Sequence, residues 1–126
     1  MGYSAAVLER ARDPKNTGWL PRDAPDVGTG EVGAAGLETV VRIQVRVNGS
    51  TRRIDEAVFK ASGSAVAMAS ASLVVERLIG ATVDDARSVD VLAVIAELAL
   101  PLEQASAATL AVDAARHAVD DWERKQ

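Results

Sequence analysis

Val40 to Val47 carries the clearest alternation of apolar and polar positions, with Val41, Ile43, Val45 and Val47 interleaved by Arg42, Gln44 and Arg46. A period of two sends successive side chains to opposite sides of an extended chain, so this segment predicts a strand with one buried and one wet face. Asn48-Gly49 follows; both residue types tolerate positive φ, which predicts a tight hairpin turn. The returning antiparallel strand covers residues 52–60, with Ile54 and Phe59 as its largest apolar members. After Gly63 the period lengthens to about 3.6. Val66, Ala69, Ser70, Leu73, Val74 and Leu78 then share one helix face, Glu76 and Arg77 lie opposite, and Gly80 ends the helix.

Further on, Thr82 is placed to cap a short helix whose first turn carries Asp84 and Asp85, where acids suit the positive end of the helix dipole. Ser88 or Asp90 opens another over residues 91–98, stopped by Pro101, and a long last helix runs from about Glu103 to Arg124. Its apolar stripe is Ala105, Ala108 with Thr109, Val112, Ala115, Val119 and Trp122. At the other end, Ser4 caps a helix that Pro14 stops after Arg12, with Val7, Leu8 and Ala11 on one side. Residues 13–36 contain Pro14, Pro21, Pro25, Gly28, Gly30, Gly33 and Gly36 and predict a long ordered loop with a short edge strand near residues 30–33. Helix, loop, β meander and then a run of helices indicate an α+β fold: an antiparallel sheet with helices packed on one face.

Composition narrows the picture. A chain of 126 residues fits one domain spanning residues 1–126, and 48% hydrophobic with 25% charged residues excludes a disordered segment. The only aromatics are Tyr3, Trp19, Phe59 and Trp122, so the core must be made of Ala, Val, Leu and Ile, which favours close approach between elements. With 18 acids against 14 basic residues, net charge −4 and no cationic cluster beyond Arg52-Arg53, a nucleic-acid binder is excluded as the main expectation. Residues 1–12 contain Glu9, Arg10 and Arg12 and read as no secretory signal, and no run of about 18 apolar residues predicts a membrane span, so the expected location is cytoplasmic.

The chain has no cysteine and a single histidine, His117. Thiolate nucleophiles, disulfides, zinc–thiolate sites and cysteine-ligated iron–sulfur clusters therefore have no ligands within it. Three other patterns bear on chemistry. Gly28-Thr29-Gly30-Glu31-Val32-Gly33 spells G-x-G-x-x-G, but a dinucleotide cradle needs that run to follow a strand and open a helix, whereas here it leads into a strand and reads as glycine turns. His117 lies four residues after Asp113 and near Asp120 and Asp121, a pattern most simply read as a solvated histidine beside a solvated acidic helix end with Glu123. Ser62-Gly63-Ser64, with Ser70 and Ser72 beyond, sits where a strand meets a helix; such hydroxyls act as caps or line an anion pocket, and no base is in evidence to activate one.

Taken in order, the segments Tyr3-Ser4, Asp13-Pro14-Lys15-Asn16-Thr17-Gly18 and Val27 to Ala34 resemble the iron–sulfur cluster scaffold family (IscU type, the NifU N-terminal domain). So do Ile43 to Asn48, Ala57 to Gly63, Ala67 to Leu73, Glu97 to Pro101 and Leu110 to Ala114, and the likeness covers nearly the whole chain. The resemblance implies a three-stranded antiparallel sheet with helices on one face. It also implies a site of three cysteines, an aspartate and a histidine that holds a nascent cluster or a zinc ion. At the matching positions this chain has Leu37 and Ser64 for two cysteines, Thr39 for the aspartate, and Ser106-Ala107 for the His-Cys pair. The family's Leu-Pro-Pro-Val-Lys chaperone motif is here Leu100-Pro101-Leu102-Glu103-Gln104, which puts that handover in doubt.

The expectation drawn from these departures is a non-catalytic scaffold-fold protein without metal or cofactor, acting as a binding or regulatory paralogue through a protein partner in iron–sulfur assembly or an enzyme complex. A second expectation is a small-molecule site, or an enzyme, in the remodelled pocket lined by Leu37, Glu38, Thr39, Ser62, Ser64, Ser106 and Ala107. A third is residual cluster assembly with ligands supplied by a partner chain. The family's small apolar surfaces also make a homodimer plausible.

Overall fold

The computed structural model describes residues 2–34 and 39–126. Helix α1 (Ala5–Arg12) is capped by the Ser4 hydroxyl, which accepts from the Val7 N–H at 3.2 Å. Strands β1 (Val27–Ala34), β2 (Thr39–Asn48) and β3 (Arg53–Ser62) form one antiparallel sheet in the order β1-β2-β3. Helices α2 (Ala65–Leu78), α3 (Val83–Arg87) and α4 (Val91–Glu97) follow, then a 3₁₀ turn at Leu102–Gln104 and helix α5 (Ala105–Arg124). Thr82 and Asp90 cap α3 and α4 through their side chains, as the sequence predicts. Helix α5 lies across β1 and β2, α2 across β3 and β2, and α1 against α2, so every helix shares the sheet's inner face directly or through a neighbour. Val41, Ile43, Val45 and Phe59 from the sheet meet Leu73, Val74, Val112 and Val119 from the helices in one continuous core.

Five local expectations are corrected. The glycine-rich segment is a full eight-residue strand, not a loop with a short edge strand. Two of its glycines are there because α5 presses directly on them: a Cβ built on Gly28 would overlap the Ala118 carbonyl oxygen, and one on Gly30 the Ala114 carbonyl oxygen. The hairpin after Asn48 is wider than a two-residue turn, because Asn48 pairs with Arg53 across four loop residues. The Asn48 side chain accepts from the Ser50 and Thr51 amides, and the left-handed residue is Arg52, at φ 58°, in place of Gly49. The wet face of β2 is not wet throughout. Gln44 is only 2% exposed, because its amide accepts from the Leu20 N–H and donates to the Leu20 carbonyl, both at 2.8 Å, tying residues 18–26 across the outer face. In α5, Thr109 is exposed, and the helix proper begins two residues after Glu103, beyond the 3₁₀ turn.

Fifth, the acidic end of α5 is a docking device, not a solvated tip. Asp121 accepts from the Thr29 N–H of β1 at 2.9 Å. Glu123 is clasped by Arg52 from the hairpin at 3.1 Å and by Arg87 from α3 at 2.8 Å. Those two guanidinium groups, Arg52 first, hold the Glu123 carboxyl down at about 2 from its ordinary 4.5. A group whose folded pKa is depressed contributes stability that is complete above its unfolded value and is lost as pH falls toward the folded one. Glu123→Gln should therefore lower the melting temperature at neutral pH and flatten its decline between pH 4.5 and about 2; an unchanged acid limb in thermal melts would refute this role for the carboxylate.

Candidate functional site

The strands and the two long helices bring one set of residues together at the end of the sheet where β2 begins and β3 ends. Val40 pairs with Ser62 across β2 and β3, which sets Thr39 against Gly63. Gly63 has φ +112°, and a Cβ there would lie 3.0 Å from Thr39 Cα, so this turn requires glycine. The turn delivers Ser64 to the start of α2. Its hydroxyl accepts from the Ala67 N–H at 3.1 Å and so caps the helix. Ser64→Ala should cost about 1 kcal/mol of stability while Ser64→Asp retains most of it, read from urea unfolding midpoints.

Opposite, the 3₁₀ turn and the first turn of α5 present Glu103, Gln104, Ser106 and Ala107. Together with Tyr3, Val66 and Leu110 these residues and Thr39 and Ser64 line a cavity of about 300 Å³. Of the positions singled out from sequence, Thr39, Ser64, Ser106 and Ala107 thus share one pocket. Ser62 is exposed at the end of β3 and is not part of the lining, and Leu37 and Glu38 lie outside the described residues. Tyr3, Glu103 and Gln104 belong to this pocket and were not singled out as site residues. Only the folded chain shows it, since Tyr3 and Gln104 stand about 100 residues apart in the sequence.

The donor set of the pocket is made of hydroxyls, one carboxylate and one amide. Gln104 Oε1 is shielded from solvent there and has no hydrogen-bond donor among the described residues. Among the described residues no three His, Asp or Glu side chains are grouped to hold a metal ion. His117 is exposed, and its acidic neighbours are engaged elsewhere: Asp120 with Arg87 at 3.1 Å and Asp113 with Arg116 at 4.0 Å. The G-x-G-x-x-G run lies within β1 and opens no helix, so it carries no phosphate cradle. No helix of the described residues is long and apolar enough to cross a membrane.

Residues 2–126 match the family described as NifU-like N-terminal domain. The chain is 39% identical to the iron–sulfur cluster assembly scaffold protein IscU of Azotobacter vinelandii over 126 residues, covering 100% of this chain and 98% of that one. It is 36% identical to the IscU scaffold protein of Rickettsia prowazekii over 126 residues, covering 100% of this chain and 95% of that one. The fold matches the crystal structure of a nitrogen-fixing NifU-like protein (N-terminal) from Brucella abortus with a TM-score of 0.73 and 18% identity, over 97% of this chain and 94% of that one.

Proposed function

The chain belongs to the NifU-like N-terminal domain family, the IscU-type iron–sulfur scaffold family, and on that premise we propose that it is a binding or regulatory member that does not assemble a cluster on its own residues. One observation carries the reading: the pocket where the family likeness places the ligands offers Thr39, Ser64, Ser106 and Ala107, in a chain that contains no cysteine. Iron–sulfur clusters need thiolates for both charge and covalency, and neutral hydroxyls supply neither. The Ser64 hydroxyl is moreover committed to its helix cap. A cluster delivered as cargo does not fit this donor set, and a methyl group at Ala107 takes up space without coordinating.

The reading is tested by anaerobic incubation with ferrous iron and sulfide, followed by metal and sulfide analysis and a visible spectrum. The expected result is no stoichiometric iron and no charge-transfer absorption; a stoichiometric, coloured product would return the chain to cluster assembly. The partner arm is read by sedimentation velocity with a cysteine-bearing scaffold of the same family. A reversible complex supports the reading, and its absence counts against that partner class. If iron loads only in the mixture, ligands from the partner chain are the explanation.

The cavity itself favours a second reading, a small-ligand site. Val66, Ala107 and Leu110 give it apolar walls and Tyr3, Ser64 and Ser106 give it hydroxyls, the mixture typical of small-molecule pockets. Ser106→Leu would fill such a site. If a metabolite raises the melting temperature of the native chain, that substitution should abolish the rise.

A further inference from the structure

The helix-free face of the sheet is only half covered. Residues 18–26 cross it above Gln44 and Val27 and stop short of the end where Val40 is exposed. At the border stands Trp19, 70% exposed. Beside it Arg42 of β2 and Lys60 of β3 face each other as a cross-strand pair. Trp19, Arg42, Lys60, Thr17, Phe59 and Met68 frame an open depression of about 360 Å³.

Three observations single out this surface. Exposed tryptophan is uncommon on free surfaces and enriched where partners bind most tightly. Like charges directly opposite on neighbouring strands repel, yet neither Arg42 nor Lys60 has an ion-pair partner among the described residues. By contrast, Arg46, Arg52 and Arg87 each engage two or more carboxylates. Finally, the Arg42 guanidinium is under-used among the described residues: Nη2 reaches the Gly18 carbonyl only at 3.4 Å, and Nε, shielded from solvent, has no acceptor.

We propose that this face docks an acidic segment of a protein partner, in which a carboxylate bridges Arg42 and Lys60 while an adjacent apolar or aromatic side chain packs on Trp19 and Met68. The carboxylate relieves the cross-strand repulsion and gives the outer Arg42 nitrogens a charged acceptor in place of the long Gly18 contact. In a chain of net charge −4, this small basic patch also sets the orientation of an acidic partner as it approaches. Two cations with Glu31 next to Arg42 on β1 are too few for a phosphate backbone, which requires a run of them. The proposal rests on the partner-binding reading above and names the surface it uses.

The test is selection from a random dodecapeptide display library on the full chain, followed by titration of the enriched peptides. Trp19 serves as the reporter, since Trp122 is buried and its emission is insensitive to surface binding. Enriched peptides should carry two or more Asp or Glu beside an aromatic or leucine and should blue-shift the emission. Binding should weaken at least tenfold in Arg42→Gln/Lys60→Gln at an unchanged melting temperature, and should weaken as salt is raised. Trp19→Ala, followed by calorimetry, should cost a similar factor, and Gly49→Ala, whose added Cβ meets nothing within 4 Å, should cost nothing. Neutral or basic consensus peptides, no enrichment, or affinity indifferent to Arg42 and Lys60 would overturn the proposal. So would equally tight binding of a single-stranded oligonucleotide to the same residues, or a Trp19-dependent dimer of the chain. The iron-loading experiment is independent of all these outcomes, so failure of the surface and failure of the cluster-free reading are told apart.

Discussion

Gly30→Ala is expected to destabilise the protein by about 3 kcal/mol, at the upper end of what overpacking usually costs. The sign is informative. In an ordinary strand or turn, replacing glycine with alanine removes an entropic handicap and stabilises by roughly 0.5–1 kcal/mol. Here the added methyl would occupy the space of the Ala114 carbonyl oxygen, with the Ala118 amide nitrogen and His117 Cβ also too near. The obstacles are mostly helix backbone, which has no rotamer to change, so α5 as a whole must lift from β1. Gly28→Ala meets the Ala118 carbonyl in the same way and should behave alike. Gly49→Ala is the control, since nothing lies within 4 Å of its added Cβ. Urea denaturation followed by far-UV circular dichroism gives all three values. A neutral or stabilising Gly30→Ala would mean that α5 does not sit on β1 as described.

Trp122→Ala should cost about 3–5 kcal/mol, the range for truncating a buried large aromatic. The indole is 2% exposed at the end of α5, packed over β1, with Arg52 above its ring at 5.5 Å. Its Nε1–H is shielded and has no acceptor among the described residues, so the ring contributes through packing and its cation–π contact, not through a hydrogen bond. Trp122→Phe should therefore lose clearly less than Trp122→Ala, only the transfer and cavity cost of the smaller ring. A loss in Trp122→Phe as large as that of Trp122→Ala would show that the N–H finds a partner in solution. Because Gly28 abuts both Trp122 and the Ala118 carbonyl, the two substitutions are close enough to couple. Most of the Gly28→Ala penalty should nevertheless persist in the Trp122→Ala background, because the worse clash is with backbone.

Element types followed closely from sequence. Alternation over Val41–Val47, the caps Ser4, Thr82 and Asp90, and the stripe Val112–Trp122 each obey a local rule and appear as expected. The family likeness, carried by segments spread along the whole chain, was legible too. The errors share a cause. Gly28 and Gly30 read as turn residues because glycine spacing alone does not say whether backbone freedom or close packing is needed; the answer depends on a helix some ninety residues away. Gln44 read as solvated because nothing local shows that the Leu20 backbone and the Thr29 hydroxyl will supply its partners. Glu123 read as a loose acidic tip because its two arginines arrive from the hairpin and from α3.

The candidate site divides in the same way. That the chain has no thiolate and one histidine is settled by composition and needs no coordinates. That Thr39, Ser64 and Ser106 share a pocket with Tyr3 and Gln104, while Ser62 does not, depends on how β2, α2 and α5 meet. The basic patch is the sharpest case: Arg42 and Lys60 look scattered along the chain, and only the β2–β3 register makes them neighbours beside Trp19. Sequence by itself determined which segments are helix or strand, which family they make up and that no cysteine is present, because periodicity, capping and side-chain chemistry act over a few residues. Tertiary structure alone decided which glycines carry a helix, which charges are paired and which stand unpaired on the surface, because close packing and electrostatics act through space between residues far apart in the chain.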